Sequence, residues 1–512
     1  MNETFIRTAA ALRPQIQETA TAPVCCFHLT QNGGQWEASD TYAVEEAYAA
    51  VLRKGDALYF DFGEHMVGYL SFSAAVTSGT ADAPVYLRVV AGERLCELGE
   101  DPDNYTGVLS RSWLQVEHLH VDILPASIAL PRRYAFRYWK IEVLDTSNQF
   151  GISLRDLSVC AVSAVRMEEV KPLGSKDPFW NKMDEIALRT LRDCMQEVFE
   201  DGPKRDRRLW LGDLYLQSLA NYATFGKNDL VKRCLYLFAG LARDNGAIHA
   251  CCFLYPEPHT DGCFLLDYAL LFTSTLYEYG KATGDRQTVE QLWPAAYRQL
   301  EIAAERMGEN GVLADSTDWW CHIDWSSGNL NKQAGAQGVF LFALRQGAEL
   351  AAELRAEAEK ACIDRWIAAA ENGMRNVLWD AEAGFFRSGA EGQISLISQV
   401  WGVLSGVLSP EKARALLLRC RERRSEMAVQ MSTPYAVHYW IEALLRCGLT
   451  EIAGEELRAY WGGMMALGAD CFWETYDPER PDFSPYGTPT INSYCHAWSC
   501  TPTYFLRRYA LG

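Results

Sequence analysis

The hydrophobic pattern of this chain changes once, near residues 170–175, and that change constrains the fold more than any other feature. Between about Val24 and Val165, short runs of alternating, β-branched and aromatic residues are separated by clusters of Gly, Pro, Asp and Asn. Runs of this kind are typical of β-strands. Because no helical pattern lies between them, they predict an antiparallel β-sandwich.

Beyond residue 175 the apolar residues recur with helical spacing almost to the C-terminus. Short connections between the helical segments indicate antiparallel packing of neighbours. About twelve helices can form a closed (α/α)6 barrel or an open solenoid, and the lack of a motif of fixed length favours the barrel. The pattern predicts helices at about 177–199, 214–225, 228–243, 263–284, 286–307, 331–352, 355–377, 394–406, 410–424, 433–447, 449–464 and 494–508.

The predicted architecture is therefore multidomain and mainly α-helical, as a chain of 512 residues is too long for one ordinary core. We expect an N-terminal arm at 1–23, a β-sandwich domain at 24–168 and an (α/α)6-barrel domain at 169–512. The oligomeric state is left open, with a homodimer as one option.

The net charge of −18 argues against nucleic acid and anionic membrane surfaces as partners, because both require a basic patch. A neutral substrate fits best. The 16 cysteines show no C-x-x-C pair or regular spacing, so we expect reduced thiols and a cytoplasmic location. Neither a signal peptide nor a membrane-spanning apolar run is apparent, and no nucleotide, cofactor or metal motif is present.

Three loops of the helical region combine carboxylates with indole rings. The first, at 201–213, holds three Asp, four cationic residues and a Trp, and Gly202-Pro203 ends the helix before it. The second, at 315–325, holds three Asp and three Trp, and the third, at 469–477, is followed by 492–496. Glycoside hydrolysis needs such a mixture, because two carboxyl groups flank the scissile bond and aromatic faces hold the sugar ring.

Each of these residues also has a purely structural interpretation. Asp213 can act as the N-cap of the following helix, and the loop around it can be a solvated charged turn. Trp319 and Trp325 can plug the barrel. His496, predicted on the last helix, can be a core histidine satisfied by a neighbour. Asp267 lies in an apolar helical pattern and must be either paired or functional.

Taken together, the motifs resemble the α-L-rhamnosidases of glycoside hydrolase family 78. The resemblance runs from about Leu58 to the C-terminus and rests on the order of the domains, the Asp-Gly-Pro-Lys-Arg-Asp-Arg loop and the late Trp473-Glu474. Further support comes from 60–69, 137–141 and the Ser-Tyr-Cys-His at 493–496.

The resemblance implies an inverting glycosidase that releases terminal α-L-rhamnose and needs no cofactor or metal. Glu474 matches the position of the general base, and Asp206 is the expected general acid. Arg207 stands where Glu is frequent in the family, which leaves Asp201 and Asp213 as alternative acids. The substrate-binding residues that the resemblance implies are Asp201, Arg205, Trp210, Asp213, Asp318, Trp319, Trp325, Trp473 and His496. The cations Arg205 and Arg207 would oppose protonation of Asp206.

Two other functions remain open at this stage. Unsaturated uronyl hydrolases and polysaccharide lyases use similar barrels, but their carboxylated sugars favour a basic cleft that the net charge does not suggest. A non-catalytic sugar-binding protein is the third interpretation, and Arg207 motivates it.

Overall fold

A computed structural model describes residues 2–314, 321–325, 331–427 and 430–511 of the chain. The N-terminal part is a nine-stranded antiparallel sheet in the order β1-β9-β4-β8-β5-β6, in which β2 pairs with β3 and β4, and β7 pairs with β4. Its strands are β1 (Gln17–Thr21), β2 (Cys25–Asn32), β3 (Gln35–Tyr42), β4 (Ala57–Gly79), β5 (Val85–Gly92), β6 (Val116–Val121), β7 (Ala126–Ala129), β8 (Tyr134–Asp145) and β9 (Phe150–Ser163).

Strand β4 organises this sheet, because it pairs with β2, β7, β8 and β9 along its 23 residues. Its register against β8 shifts between Asp61 and Met66. Buried and exposed residues alternate along most of the strand, and the buried set packs with Phe136 and Trp139 of β8 into one core. The N-terminal antiparallel sheet domain is confirmed, and its strands form one continuous hydrogen-bonded sheet. The arrangement as a β-sandwich stays a prediction.

The segment predicted as an arm is divided between the two domains. Its helix α1 (Glu3–Ala11) packs on a helix of the C-terminal domain, where a Cβ on Gly240 would lie 2.7 Å from Ile6. Its strand β1 pairs with β9 and therefore belongs to the sheet. Two short helices, α2 (Val44–Ala49) and α3 (Cys96–Gly99), lie within the β-domain.

The C-terminal part is helical, and in its described residues twelve α-helices follow the predicted order. They are α4 (Pro178–Cys194), α5 (Leu211–Ala223), α6 (Asn228–Gly240), α7 (Leu266–Thr283), α8 (Arg286–Ala304), α9 (Gln333–Leu354), α10 (Glu357–Gly373), α11 (Leu396–Leu404), α12 (Pro410–Glu422), α13 (Pro434–Arg446), α14 (Thr450–Ala466) and α15 (Pro502–Arg508). The described strands are completed by two short pairs, β10 (Leu209–Trp210) with β11 (Cys251–Cys252) and β12 (Trp379–Asp380) with β13 (Phe385–Phe386).

One predicted helix is substantially shorter than expected. The pattern placed His496 on a helix at 494–508, but α15 begins only at Pro502, a residue that suits the first turn of a helix. A short 3₁₀ turn at Ala497–Ser499 precedes it, and His496 stands before that turn in extended backbone. The imidazole is thus positioned by a loop and not by a helix.

Alternate helices of the C-terminal part pack side by side. Helix α5 contacts α7, α7 contacts α9, α9 contacts α11, and α11 contacts α13. The turn at Ala497–Ser499 contacts both α13 and α5, and α15 also contacts α5. The last segment of the chain therefore returns beside the first helices, which brings the loop at 201–213 and the loop at 469–477 together. None of the described helices has the length and hydropathy needed to cross a membrane.

Candidate active site

Asp201 holds the two ends of the turn at 201–208 together through hydrogen bonds to Arg208. The amide of Asp201 donates to the carbonyl of Arg208 at 3.0 Å, and the amide of Arg208 donates to Asp201 Oδ1 at 2.9 Å. Between them, Asp206 and Arg207 adopt left-handed backbone, with φ of 67° and 54°. Non-glycine residues seldom adopt this conformation, and it persists where the surroundings enforce it.

Contacts with the β-domain help to hold this loop in its conformation. Lys204 is buried, forms an ion pair with Glu97 and donates to the carbonyls of Thr490 and Asn492 at 3.0 and 2.8 Å. Arg207 Nη2 donates to a backbone carbonyl of β-domain residue Arg133 at 2.8 Å. The loop is thus held between the sheet domain and the late loops of the helical domain.

Glu474 is buried, and its carboxylate is bound on both oxygens. Arg205 forms an ion pair with Oε2, and the hydroxyl of Tyr486 donates to Oε1 at 2.8 Å. The indole of Trp498 donates to the backbone carbonyl of Glu474 at 2.9 Å. Burial raises the pKa of Glu474 above its usual range, although the Arg205 guanidinium opposes the shift.

His496 lies among three buried carboxyl groups. Its Nδ1 is 3.5 Å from Asp213 Oδ1, and its Nε2 is 3.9 Å from both Asp201 Oδ2 and Glu474 Oε1. Burial, with Arg205 nearby, lowers the pKa of His496 well below its usual value, so the ring is neutral. Burial also raises the pKa of Asp201 and of Asp213 well above the usual range, as do the neighbouring carboxyl groups.

This arrangement suits a neutral ligand rich in hydroxyl groups. Protonated carboxyl groups and a neutral imidazole can each donate and accept hydrogen bonds. Asp213 Oδ1 and His496 Nδ1 are buried and have no hydrogen-bond partner among the residues that the structure describes. Buried polar atoms of this kind are normally satisfied, and a substrate is one group that can satisfy them.

Asp206 differs from the other carboxyl groups of the site because its side chain is 25% exposed. Its recorded ion-pair partner is Arg208, whose Nη1 lies 3.9 Å from Oδ2. The sequence suggested that Arg205 and Arg207 would oppose protonation of Asp206. The structure pairs the Arg205 guanidinium with Glu474 and directs that of Arg207 to a backbone carbonyl. Arg205 and Asp206 still attract each other, because Asp206 is one of the groups that raise the pKa of Arg205.

Aromatic rings surround this polar group. Trp325 contacts Trp498 and Tyr486 edge to face, with ring centroids 5.2 and 6.1 Å apart, and the imidazole of His496 lies 4.3 Å from Trp498. Trp210 occupies the N-cap position of α5 without a capping side-chain hydrogen bond, and its ring centroid lies 6.3 Å from that of Tyr268. Trp325 is thus in contact with the two rings that bind Glu474, whereas Trp210 contacts Tyr268.

Trp473, which is also predicted to bind the sugar, packs differently. Trp473 is 2% exposed, and the guanidinium of Arg94 covers its ring at 4.6 Å, so its face is taken by packing and not offered to a sugar. Asp318 and Trp319 lie outside the described residues.

Sequence reasoning missed several residues of the site. Tyr486 lies between the predicted segments 469–477 and 492–496 and was not singled out, although its hydroxyl binds Glu474. Trp498 lies two residues beyond His496, and that spacing is the one signal that could have drawn attention to it. Asp267, expected to be either paired or functional, accepts hydrogen bonds from the amides of His322 and Ile323 at 3.0 and 2.8 Å.

The structure also assembles one group of metal-ligating atoms that the sequence did not suggest. Ligand atoms of His65, Asp193, Cys471 and Cys495 lie within 4.8 Å of one another, all buried. Both ring nitrogens of His65 are already hydrogen-bonded, Nδ1 to Asp193 at 2.6 Å and Nε2 to Glu93 at 3.1 Å. Burial opposes protonation of His65, but Cys471, Asp193 and Glu93 together raise the pKa of His65 well above its usual value. The group therefore serves as a hydrogen-bonded link between the β-domain and the helical domain.

Comparison with solved structures identifies a close relative of the whole chain. A rhamnosidase from Klebsiella oxytoca with rhamnose bound is 44% identical, with a TM-score of 0.96 over 99% of each chain. A family 78 rhamnosidase of Bacillus sp. GL1 shares the fold, with a TM-score of 0.74 and 23% identity over 92% of this chain and 49% of that one. An α-L-rhamnosidase of Formosa agariphila is 23% identical over 210 residues, which are 38% of this chain and 20% of that protein. The chain therefore matches about a fifth of the length of this curated relative.

Family models match both domains. The glycosyl hydrolase family 78 α-rhamnosidase N-terminal domain matches residues 28–161, and the bacterial α-L-rhamnosidase 6-hairpin glycosidase domain matches residues 168–510. The second match alone covers most of the chain. The resemblance noted from the motifs is confirmed, and the chain belongs to the α-L-rhamnosidases of glycoside hydrolase family 78.

Proposed function

We propose that this protein is an inverting α-L-rhamnosidase, which releases terminal α-L-rhamnose from rhamnosides or short oligosaccharides. The observation that carries the proposal is the meeting of two distant loops, in which Glu474, Asp201 and Asp213 surround His496. The rhamnose bound to the Klebsiella oxytoca relative supports the choice of sugar.

In the proposed mechanism, the carboxyl group of Asp206 gives its proton to the glycosidic oxygen as the bond to the anomeric carbon breaks. Its partial exposure suits contact with a leaving group that points out of the pocket. Glu474 removes a proton from the water that attacks the opposite face of the sugar. Arg205 and Tyr486 hold the Glu474 carboxylate in one orientation. Burial raises the pKa of Glu474, but the ion pair with Arg205 favours its ionised form, which can accept the proton.

The remaining polar residues bind the sugar. Asp201, Asp213 and His496 lie deeper than Asp206 and make no ion pair with Arg or Lys among the described residues. A neutral pyranose can satisfy them through its hydroxyl groups, whereas a uronic acid would bring a second negative charge among three carboxyl groups. The C5 methyl group of rhamnose favours an apolar contact, for which Trp325 and Trp210 are the candidates among the described residues.

A panel of aryl glycosides tests the proposal. We expect turnover of the aryl α-L-rhamnoside, and ¹H NMR of the early product should show the β-anomer, because a single displacement inverts the anomeric carbon. Initial formation of the α-anomer would exclude inversion while leaving the substrate correct. Binding of L-rhamnose without turnover would select the sugar-binding protein, and activity on unsaturated uronides would select the other barrel enzymes.

The same proposal includes the finer architecture. The contacts between alternate helices, and the return of residues 497–508 to α5, support a closed (α/α)6 barrel. The two family matches support division of the chain near residue 168. The cytoplasmic location and the homodimer stay predictions from the sequence.

A further inference from the structure

His322 is a buried imidazole whose two nitrogens have no hydrogen-bond partner in the described part of the chain. Aromatic rings contact it on several sides. Their centroids lie 5.1–5.8 Å away, and the rings belong to Tyr268, Trp325, Tyr435 and Trp498. Burial lowers the pKa of His322 to about 3, so the ring is neutral near pH 7, with one nitrogen as donor and the other as acceptor.

The backbone around His322 is held in a strained conformation. Ile323 has a φ of 51°, which is unusual for any residue with a side chain and more so for a β-branched one. Asp267 accepts hydrogen bonds from the amides of both His322 and Ile323. Lys332 Nζ donates to the carbonyls of Cys321 and His322 at 2.9 and 2.7 Å. Strain that is held in place from two sides is characteristic of functional positions.

The position of His322 connects it to the proposed sugar site. Trp498, which contacts His322, also contacts His496 and donates to the carbonyl of Glu474. His322 and His496 thus lie against the same indole ring, with centroids 5.7 and 4.3 Å from that of Trp498. An apolar side chain surrounded by these rings would pack without leaving polar atoms unsatisfied. The presence of an imidazole at this position therefore points to a role other than packing.

We infer that His322 is a specificity-determining residue that hydrogen-bonds a hydroxyl group of the bound sugar, and that Trp325 moves to admit that hydroxyl. The inference rests on the proposed function. Trp325 is the mobile candidate because the other three rings around His322 are at most 3% exposed, whereas Trp325 is partly exposed.

The chain offers a matched control in His438. This histidine of α13 is also buried, has its pKa lowered to about 3 by burial and leaves Nδ1 without a partner among the described residues. Its ring contacts within the described part of the chain are with Tyr439, Tyr504 and Phe505, and include no contact with His496. The two histidines thus share burial and chemistry but differ in their position relative to the site.

The test compares His322→Phe with His438→Phe in the full-length chain. Phe fills a similar volume and removes the unsatisfied nitrogens, so neither variant should lower the unfolding midpoint. For His322→Phe we expect the Kd of L-rhamnose, measured by calorimetry, and the KM of an aryl α-L-rhamnoside to rise by about tenfold, the value of one hydrogen bond to a buried hydroxyl. His438→Phe should change both by less than about twofold. His322→Asn, which keeps a donor and an acceptor, should lose less than the Phe variant and serves if that variant does not fold.

Monodeoxy rhamnosides identify the hydroxyl group. One analogue lacks the hydroxyl group that His322 binds. The wild type should bind this analogue as weakly as His322→Phe binds the complete rhamnoside, and His322→Phe should bind both ligands with the same Kd. Unchanged Kd and KM in His322→Phe, with a wild type that binds and turns over rhamnosides, would overturn this inference alone. A wild type without binding or turnover would overturn the proposed function and this inference with it.

Discussion

The guanidinium of Arg205 binds the carboxylate of Glu474 directly, although 269 positions separate the two residues in the sequence. This buried ion pair joins the loop that carries Asp206 to the loop that carries the proposed base. Arg205 also donates from Nε to the carbonyl of Ile491 at 3.2 Å, and its guanidinium lies 4.4 Å from the centroid of the Tyr486 ring. Arg205 therefore acts on both the orientation of Glu474, together with Tyr486, and its ionisation, where it opposes the effect of burial.

The first prediction concerns pH. Burial raises the pKa of Glu474 and Arg205 lowers it, so removing the cation must raise it further. Because a base works only when ionised, kcat falls as the pH drops through this pKa. In Arg205→Met the acidic limb of the kcat profile should move to higher pH, by about one unit or more. An exposed arginine provides the control, since Arg421→Met should leave the limb in place. An unmoved limb in Arg205→Met would show that Glu474 does not govern it.

Glu474→Gln tests the base itself. The amide keeps the shape of the side chain but cannot take a proton, so kcat should fall by about three orders of magnitude or more. Binding of L-rhamnose, measured by calorimetry, should change far less. Turnover close to the wild-type rate would remove Glu474 from the mechanism.

Asp206→Asn tests the acid. Substrates with poor leaving groups need protonation of the glycosidic oxygen, whereas activated aryl rhamnosides need it much less. The variant should therefore lose about 10²–10⁴-fold in kcat on alkyl rhamnosides and clearly less on a dinitrophenyl rhamnoside. Asp201→Asn and Asp213→Asn are the matched controls, and their losses should not depend on the leaving group. If the loss of kcat depends on the leaving group in either control but not in Asp206→Asn, then that other carboxyl group, and not Asp206, is the general acid.

Much of the fold could be predicted because it depends on local periodicity. The predicted helix at 228–243 corresponds to Asn228–Gly240, and the one at 433–447 corresponds to Pro434–Arg446. The amphipathic spacing that makes such a helix pack is visible in the sequence itself. The helix predicted at 494–508 is present only from Pro502 onward, because hydrophobic residues in the irregular buried loop before it look the same as a helical face.

The site was harder, because its contacts join distant parts of the chain. The acidic and aromatic surroundings of Glu474 and Asp201 mark both as candidates for the site, but the pairing of Glu474 with Arg205 could not be predicted. Trp473 was misjudged since adjacency to Glu474 does not reveal the direction of a side chain, and its face packs under Arg94. His322 gave no signal, because nothing in the sequence shows that both of its nitrogens lack a partner.

The raised pKa of Asp213 predicts how the free energy of unfolding depends on pH. Its folded-state pKa is raised by burial and by Glu474, so folding favours the protonated form. The stability that this group contributes is complete below its unfolded pKa and is lost as the pH rises through the folded value. Asp213→Asn cannot ionise, so urea unfolding should find it more stable than the wild type at pH 8, and the difference should shrink toward pH 4. Each unit of separation between the two pKa values is worth about 1.4 kcal/mol. A stability difference that stays constant with pH would contradict the shift.

The last prediction concerns the link between the domains, through Glu97 and Lys204. Both side chains are buried, and Lys204 Nζ holds the carbonyls of Thr490 and Asn492 next to the loop that contains Ser493, whose carbonyl binds the amide of Glu474. Glu97→Ala leaves the Lys204 ammonium buried without its partner, a change that typically costs about 3–5 kcal/mol. Glu97→Gln keeps a hydrogen-bonding oxygen and should cost less.

The exposed ion pair of Lys54 and Asp145 lies on the same β-domain and provides the control. Asp145→Ala should leave the unfolding midpoint unchanged, because water solvates both charges. In Glu97→Ala, kcat on an aryl rhamnoside should fall even at temperatures where the variant is folded, since the β-domain would no longer fix the loop that carries Asp206. Thermal unfolding and kcat measured on the same samples separate the two effects. A destabilised variant with wild-type kcat would mean that the β-domain stabilises the helical domain without positioning its catalytic loop.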